Sequence, residues 1–282
     1  MILLADSGST KTDWVIIDKS QIIKNITTQG FNPFFFTHEE ITKEVKNRFS
    51  EDKTNELIEE IYFYGAGCSS DAMKEIIING LQPVFRNAQI NVKSDLLGTA
   101  RAMFFNEPGI AVILGTGASS GFYNGKFISK AIKSLGYVFG DEGGGDHIGK
   151  LFITSFLTDS LSKDIQEKFV HRFNLDKDQI LQKVYREPFP NNYLASFCEF
   201  VAENKSSKEI SELIEQSFNA LFERYISRYP DYKSYKIRVT GSIGHIFDNE
   251  LKRIADQHGC KIDMILQKPI LKLIDYHTNN YE

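Results

Sequence analysis

Two stretches of this chain carry the same plan, and together they limit what it can fold into. Near the start, an apolar run from Ile2 to Ala5 meets an acid, Asp6, and then the small residues Ser7, Gly8, Ser9 and Thr10. Lys11 follows, and a second apolar run spans Trp14 to Ile17. From Ile110 the plan restarts. Ile110 to Leu114 is apolar, Gly115-Thr116-Gly117-Ala118-Ser119 is small, and Ser120 to Tyr123 is strand-like. Strand, tight turn, strand predicts a hairpin in each case. Gln21 to Thr28 predicts a third strand in the first unit, after a turn at Asp18-Lys19-Ser20. Lys126 to Ser129 predicts its counterpart, after the hairpin dipeptide Asn124-Gly125. This is a repeat of architecture without a repeat of sequence, and it predicts two related domains facing a cleft.

The rest of the chain alternates helix and strand. Apolar spacing predicts a helix over 38–49, a strand at Ile61 to Tyr64 and a helix from Asp71 to about Phe85, capped by Ser70 or Asp71. Ile90 to Val92 predicts a strand and Leu96 to Phe105 a helix. Asn106-Glu107-Pro108-Gly109 is the clearest break in the first half. After a glycine-rich stretch, 140–145, the chain reads as mostly helical from His147 to about Tyr229, interrupted at Glu187-Pro188-Phe189-Pro190. A strand over 236–240, a helix over 246–258, a strand over 261–265 and a helix over 269–277 complete it. The domain boundaries predicted are 1–107, completed by a C-terminal helix at 269–282, and 108–268.

Composition removes several classes of function. The 282 residues are 41% apolar and 25% charged, ordinary for a globular chain, and the net charge of −4 offers no basic surface for nucleic acid. No apolar stretch approaches the roughly 20 residues that span a bilayer. The opening residues have no basic segment followed by a long apolar one, which predicts no signal peptide. Cys68, Cys198 and Cys260 are odd in number and far apart, which argues against a disulfide framework and for a cytoplasmic compartment.

The small-residue turns suit phosphate, because successive backbone N–H groups form an anion-binding concavity. Asp6, at a strand end, could hold Mg²⁺ through water, and Lys11 could stand near phosphate as a point charge. A plain hairpin turn remains the other reading of each. Neither Gly125-Lys126 nor Gly149-Lys150 is followed by Ser or Thr, so no Walker A loop is present. Gly65-Ala66-Gly67 is half a dinucleotide fingerprint without its third glycine. Asp95, before a helix, could act as a general base towards a hydroxyl, although spacing alone favours a helix N-cap. Asp141, within Gly140-Asp-Glu-Gly143, suits the hydroxyls of a polar ligand; a metal site or a solvated loop capped by Asp146 are the other readings. Gly241-Ser242-Ile243-Gly244 would let a flat ring approach the backbone.

The order Asp6-x-Gly8-x-Thr10-Lys-Thr, Ser94-Asp95, Leu114-Gly-Thr-Gly117-Ala-Ser, Gly140-Asp-Glu-Gly143, Thr240-Gly-Ser242 resembles the actin/hexokinase/Hsp70 ATPase superfamily. It is closer to the BadF/BadG/BcrA/BcrD ATPase group, which contains N-acetylglucosamine kinase. The resemblance runs over nearly the whole chain. It implies an α/β protein of two ribonuclease H-like, actin-like ATPase domains with ATP and Mg²⁺ in the cleft. Asp6, Gly8, Ser9, Thr10 and Lys11 would form the first phosphate motif, with Asp6 orienting Mg²⁺. Gly115, Thr116 and Gly117 would form the second, and Gly241 and Ser242 part of the adenosine motif. Asp95 would be the base that activates the 6-hydroxyl of an amino sugar. Asn32 and Asp141 would bind sugar hydroxyls, Ala118 and Ser119 would line the junction of sugar and nucleotide, and Leu135 and Gly136 would border the sugar.

The implied activity is an ATP-dependent kinase of an amino sugar, N-acetylglucosamine at O6, working as a homodimer. An activator ATPase of a radical dehydratase and a non-enzymatic ATP-binding module are the alternatives from the same superfamily. Three positions depart from the family pattern: Ser7 where glycine is commoner, Ser119 in place of an asparagine, and Leu135 in place of a tryptophan.

Overall fold

A computed structural model of the chain describes residues 1–49 and 53–279. They divide into two compact units. The first holds Met1–Ala111, Tyr123–Ser129 and the stretch from Lys268; the second holds Val112–Phe122 and Lys130–Gln267. The last three residues of the helix expected over 269–282 lie outside the described residues.

In the first unit, β1 (Ile2–Ser7), β2 (Lys11–Asp18) and β3 (Gln21–Gln29) form an antiparallel meander. Lys19 and Ser20 both take positive φ, the backbone a two-residue hairpin turn requires. Helix α1 (His38–Phe49) leads to β4 (Glu60–Gly65), which pairs parallel with β1, and α2 (Asp71–Leu81) to β5 (Gln89–Ser94), parallel with β4. The sheet order is β3-β2-β1-β4-β5. Helix α3 (Asp95–Phe104) follows β5 directly.

Both faces of this sheet are covered, which explains the continuous apolar strands. Leu3 and Ala5 of β1, Trp14 and Ile16 of β2 and Ile61 and Phe63 of β4 share one core with Ile41, Val45 and Phe49 of α1 and Ile77 and Leu81 of α2. Alternate residues Leu4, Val15, Ile17 and Tyr64 point the other way. They join Ala102 of α3 and Ile270, Leu273 and Ile274 near the chain's end. Trp14 anchors the first core. Its Nε1–H donates to Thr28 Oγ1 at 2.9 Å, and its ring meets Phe49 edge-on at 5.6 Å.

The second unit repeats the plan. Its sheet takes in β6 (Gly109–Leu114), β7 (Ala118–Tyr123), β8 (Ile128–Ile132), β9 (Ile237–Thr240) and β10 (Ile262–Leu266), in the order β10-β9-β6-β7-β8. Counted from its own first strand, that is the order of the first sheet. Between β8 and β9 lie α4 (Gly136–Phe139), α5 (Gly145–Leu157), α6 (Lys163–Phe173), α7 (Lys177–Arg186), α8 (Pro190–Ala195), α9 (Cys198–Glu203) and α10 (Lys208–Arg224). Aromatic side chains join them, with Phe169 within 5.5 Å, centroid to centroid, of both Phe197 and Phe200. Helices α11 (Ser242–Ile246) and α12 (Asp248–Gln257) follow β9, and α13 (Ile270–Thr278) returns to the first unit.

The structure corrects several boundaries. The strand expected at 126–129 begins at Ile128, because the N–H groups of Lys126 and Phe127 both donate to Asn124 Oδ1 within the turn. Helix α2 stops at Leu81, since Pro83 has no N–H to continue it. The helix expected over 246–258 runs over Asp248–Gln257, and a separate short helix precedes it. Ser242–Ile246 is helical although no helix is expected before 246, and Phe247, fully buried, leaves helical geometry between α11 and α12.

One buried polar chain ties α13 to the sheet. Arg101 Nη1 donates to Tyr64 Oη at 2.8 Å, and that hydroxyl lies 2.9 Å from His277 Nε2. Burial, with Arg101 beside it, pushes His277 down to about 3. An unfolded histidine titrates near 6.5, so the unfolded chain takes up the proton first as pH falls. Stability therefore falls below about pH 6.5, by up to ~1.4 kcal/mol per pH unit from this group. Urea titrations at neutral pH and about pH 5 should show His277→Gln losing less stability on acidification than the wild type. Equal losses would show that this histidine is not the acid-sensitive joint.

Candidate active site

In the first unit, β1 carries Asp6 to the end of the sheet's central strand and the chain turns back over four residues. The Gly8 N–H donates to Lys11 O at 2.9 Å, closing the turn. A Cβ at Gly8 would meet only Lys11 O, at 3.8 Å, so the outer side of the turn is open backbone. Its inner side is filled. Gly30 donates its N–H to Thr10 O at 3.0 Å, and a Cβ there would lie 2.7 Å from the Ser9 carbonyl carbon and 2.9 Å from Lys11 N. Ser9 is half-buried and Thr10 exposed.

Ser7, the departure from the family pattern, is fully buried. Its Oγ accepts from the Phe31 N–H at 3.0 Å and lies 2.7 Å from Thr12 Oγ1, which donates to Gln29 O. The hydroxyl stitches the turn to the end of β3, and its described partners are all within the protein. Lys11 and Lys268 flank Asp13, at 3.4 and 3.1 Å from its two carboxylate oxygens. They set two ammonium groups beside the turn.

Asp95 occupies the first helical position of α3, and the cap is Ser94, whose Oγ accepts from the Leu97 N–H. The N-cap reading of Asp95 is thereby corrected. Its Oδ1 accepts from the Leu96 N–H at 2.8 Å, and the side chain is half-buried. Burial pushes Asp95 up to about 6. Asp6, also half-buried, is pushed up to about 7, first by burial and then by the negative charges of Asp95 and Asp13. Two acids of one unit are thus poised near neutrality and feel each other. Asn32 is half-buried, with Oδ1 accepting from the Phe34 N–H at 3.1 Å, which leaves its NH₂ side for a ligand.

The second unit builds its turn by the same means from different residues. Gly115 N–H donates to Gly117 O at 3.0 Å, and a Cβ at Gly115 would meet nothing within 4 Å. Behind it sits Gly241, with φ of 113°, where a Cβ would lie 2.6 Å from the Leu114 carbonyl carbon. The first amides of α5 also brace the turn. Gly145 N–H donates to Gly115 O and Asp146 N–H to Thr116 O, at 2.9 and 2.8 Å. Ala118, buried, and Ser119, half-buried, open β7. Ser242 is exposed at the start of α11.

Asp141 is buried with φ of 60°, a strained backbone for a residue with a Cβ. Its Oδ1 accepts from Ser134 Oγ at 3.0 Å, and its carboxylate lies over Gly117, 2.7 Å from where a Cβ would stand. Asp141 and the second turn therefore share one place. Leu135 is 54% exposed, and Gly136, at φ of 71°, opens the single turn of α4 beside it. The Asp146 cap reading is corrected too: the cap position of α5 belongs to Gly144, and Asp146 is a buried carboxyl in its first turn.

Among the described residues, no group of three or more His, Cys, Asp or Glu is placed to hold a metal. The donor set around Asp6 suits a cation that brings most of its own oxygen ligands as water and phosphate.

No family model matches the chain, and no curated protein matches it. Among solved structures, it is similar to a provisionally assigned N-acetylglucosamine kinase of Porphyromonas gingivalis, at 35% identity and TM-score 0.95 over 100% of both chains. The chain belongs to the N-acetylglucosamine kinase-like BadF/BadG/BcrA/BcrD ATPase family. A second provisional N-acetylglucosamine kinase, from Chromobacterium violaceum, shares the family fold at 14% identity and TM-score 0.72, with 98% of each chain covered. A ROK family glucokinase of Streptomyces griseus, in complex with glucose and AMPPNP, shares the fold more distantly, at 11% identity and TM-score 0.58 over 97% of each chain. The two mixed five-stranded sheets are those of actin-like ATPase domains.

Three residues of this family member escaped the sequence reading. Gly30 and Lys268 carry no site signal in the sequence, and Ser7 reads as a departure from the family pattern. The glycines on the two sides of the first turn give a direct test. Gly30→Ala should lower stability by about 1–3 kcal/mol, because backbone must move to admit the methyl group. Gly8→Ala should stay within about 0.5 kcal/mol of the wild type, since its methyl group enters open space. Urea denaturation of the two variants checks this, and equal destabilisation would show that the turn is not held from behind.

Proposed function

We propose that this chain, a sugar kinase by family, transfers the γ-phosphoryl group of ATP to the 6-hydroxyl of N-acetylglucosamine. The observation that carries this reading is Asp95: a half-open carboxylate whose charge is felt at Asp6, raised towards neutrality, with one oxygen held by the Leu96 N–H. A general base works best with a pKa near the working pH. With Oδ1 engaged, Oδ2 accepts the hydroxyl proton as the sugar oxygen attacks the γ-phosphorus and the bond to the leaving ADP breaks.

Phosphoryl transfer asks the protein chiefly to position its reactants and to neutralise charge. The open amides of the turns at Gly8–Lys11 and Gly115–Gly117, with the side chains of Ser9, Thr10 and Thr116, engage the phosphates. Lys11 and Lys268 add positive charge. Asp6 would hold Mg²⁺ through water, and that ion supplies further charge neutralisation on the phosphates. Gly241 and Ser242 take the adenosine. Asn32 and Asp141 bind sugar hydroxyls, with Ala118, Ser119, Leu135 and Gly136 bordering the sugar. A homodimer in the cytoplasm completes the reading. Among the described residues no helix is long and apolar enough to cross a membrane.

The cysteines weigh against the activator alternative. Cys68, Cys198 and Cys260 are buried, and burial pushes the first two up to about 12. A surface iron–sulfur cluster needs accessible thiolates.

A coupled ADP-release assay with Mg-ATP and a panel of hexoses and hexosamines tests the reading. N-acetylglucosamine should drive release, and mass spectrometry should find the sugar phosphate. Asp95→Asn should lose about 10²–10⁴-fold in kcat while still binding Mg-ATP, and the wild-type rate should fall below about pH 6 as the base protonates. Near wild-type turnover in Asp95→Asn would remove it as the base, and release driven by another sugar alone would move the pocket assignment.

A further inference from the structure

The stretch 140–147 holds two acids that the proposed mechanism does not use: Glu142, which is paired with Arg224, and Asp146. Asp146 sits in the first turn of α5 at 1% exposure, and neither carboxyl oxygen has a hydrogen-bond donor. An ionised carboxylate in that position would be left without solvation, which is costly. Its neighbour across the turn is Asp141: the Asp146 N–H donates to Thr116 O at 2.8 Å, the next residue is the Gly117 that the Asp141 carboxylate covers, and the two side chains interact. Two ionised carboxylates cannot share such a contact, because neither has a hydrogen to donate. One proton between them resolves both problems.

The surroundings decide which acid keeps it. Asp141 has a donor, the Ser134 hydroxyl, on Oδ1. The buried Cys198 thiol of α9 donates to Gly145 O, next in the chain to Asp146, at 3.2 Å and is not a partner of either Asp146 oxygen. The Lys150 ammonium one turn along α5 is engaged with Tyr137 O at 2.9 Å, and it favours the charged form too weakly to prevail. Burial and Asp141 together push Asp146 up to about 9.

We propose that Asp146 is a positioning residue that stays protonated at neutral pH and donates a hydrogen bond to the carboxylate of Asp141. The pair then carries one negative charge. With Ser134 on one side and Asp146 on the other, the Asp141 carboxylate is fixed over Gly117 and keeps acceptor capacity for the hydroxyl groups of a sugar. The sugar part of this inference rests on the reading of Asp141 given above.

The test is the pH dependence of the sugar KM in three proteins. In the wild type, the KM for N-acetylglucosamine should rise as pH passes about 9 and the pair loses its last proton, while the KM for Mg-ATP stays level. Asp146→Asn keeps a donor towards Asp141, so it should stay within about threefold of the wild-type sugar KM at neutral pH and lose the alkaline rise. Asp146→Ala should raise the sugar KM on the order of tenfold at neutral pH without moving the KM for Mg-ATP. An Asn variant as impaired as the Ala variant, or one that keeps the alkaline rise, overturns the proposal.

A second readout needs no turnover. At about pH 8, where Asp6 and Asp95 are ionised, the infrared spectrum of the wild type should contain a protonated-carboxyl band that Asp146→Asn lacks. Identical spectra would overturn the shared proton. Absence of any sugar-dependent turnover in the wild type, with the band present, would instead overturn the kinase reading and leave the proton pair standing.

Discussion

A turn that offers its backbone N–H groups to an anion cannot be covered on the side it offers, so it has to be held from the other. Much of this molecule follows from that constraint. The turn after β1 rests on Gly30, and the turn after β6 rests on Gly241. In each case another stretch of backbone arrives where a Cβ would stand. The first support comes from the end of β3 and the second from the end of β9. Two units with the same strand order thus meet the same need with glycines at different places in the plan. That is how architecture repeats here while sequence does not.

What was legible in the sequence is what depends on near neighbours. Apolar runs ending in an acid or in small residues marked β1, β6 and the strands after them, because strands buried on both faces must be apolar throughout. Asp6 and Asp95 were conspicuous as acids at strand ends. The helix break at Phe247 was not, because the pull on that aromatic ring comes from a core assembled by distant segments. Lys268 stands beside Asp13 through chain folding over more than two hundred residues. Ser7 shows the same limit from the other side. It departs from the family pattern inside a ligand motif, which suggests altered ligand contacts. The departure is instead absorbed by Phe31, Thr12 and Gln29, residues that only tertiary structure brings to it.

One residue decides which side chain caps α3. Spacing made Asp95 a good helix cap, and a capping carboxylate would have been committed to the backbone N–H groups of the first turn. Ser94 takes the cap instead. Asp95 moves to the first helical position, where only the adjacent N–H reaches it and the second oxygen stays available. A Ser-Asp pair at a strand–helix junction therefore separates two duties that either residue could perform alone.

The same separation runs through the electrostatics. Asp6, Asp95 and Asp146 are all held above the ordinary carboxylate range, chiefly by burial. For each, the unfolded chain releases its proton first as pH rises, so ionising the site weakens the fold from about pH 4 upwards. His277 acts from the opposite side and weakens it below about pH 6.5. The fold is thus most secure when these groups are uncharged, whereas the base proposed at Asp95 and the cation anchor proposed at Asp6 must be charged to act. In that proposal a bound cation would favour the ionised form of both and release the proton. Asp146 lies deeper, and no ligand has to reach it. Its partner Asp141 already carries the charge that the pair needs, so its proton can stay where the fold prefers it.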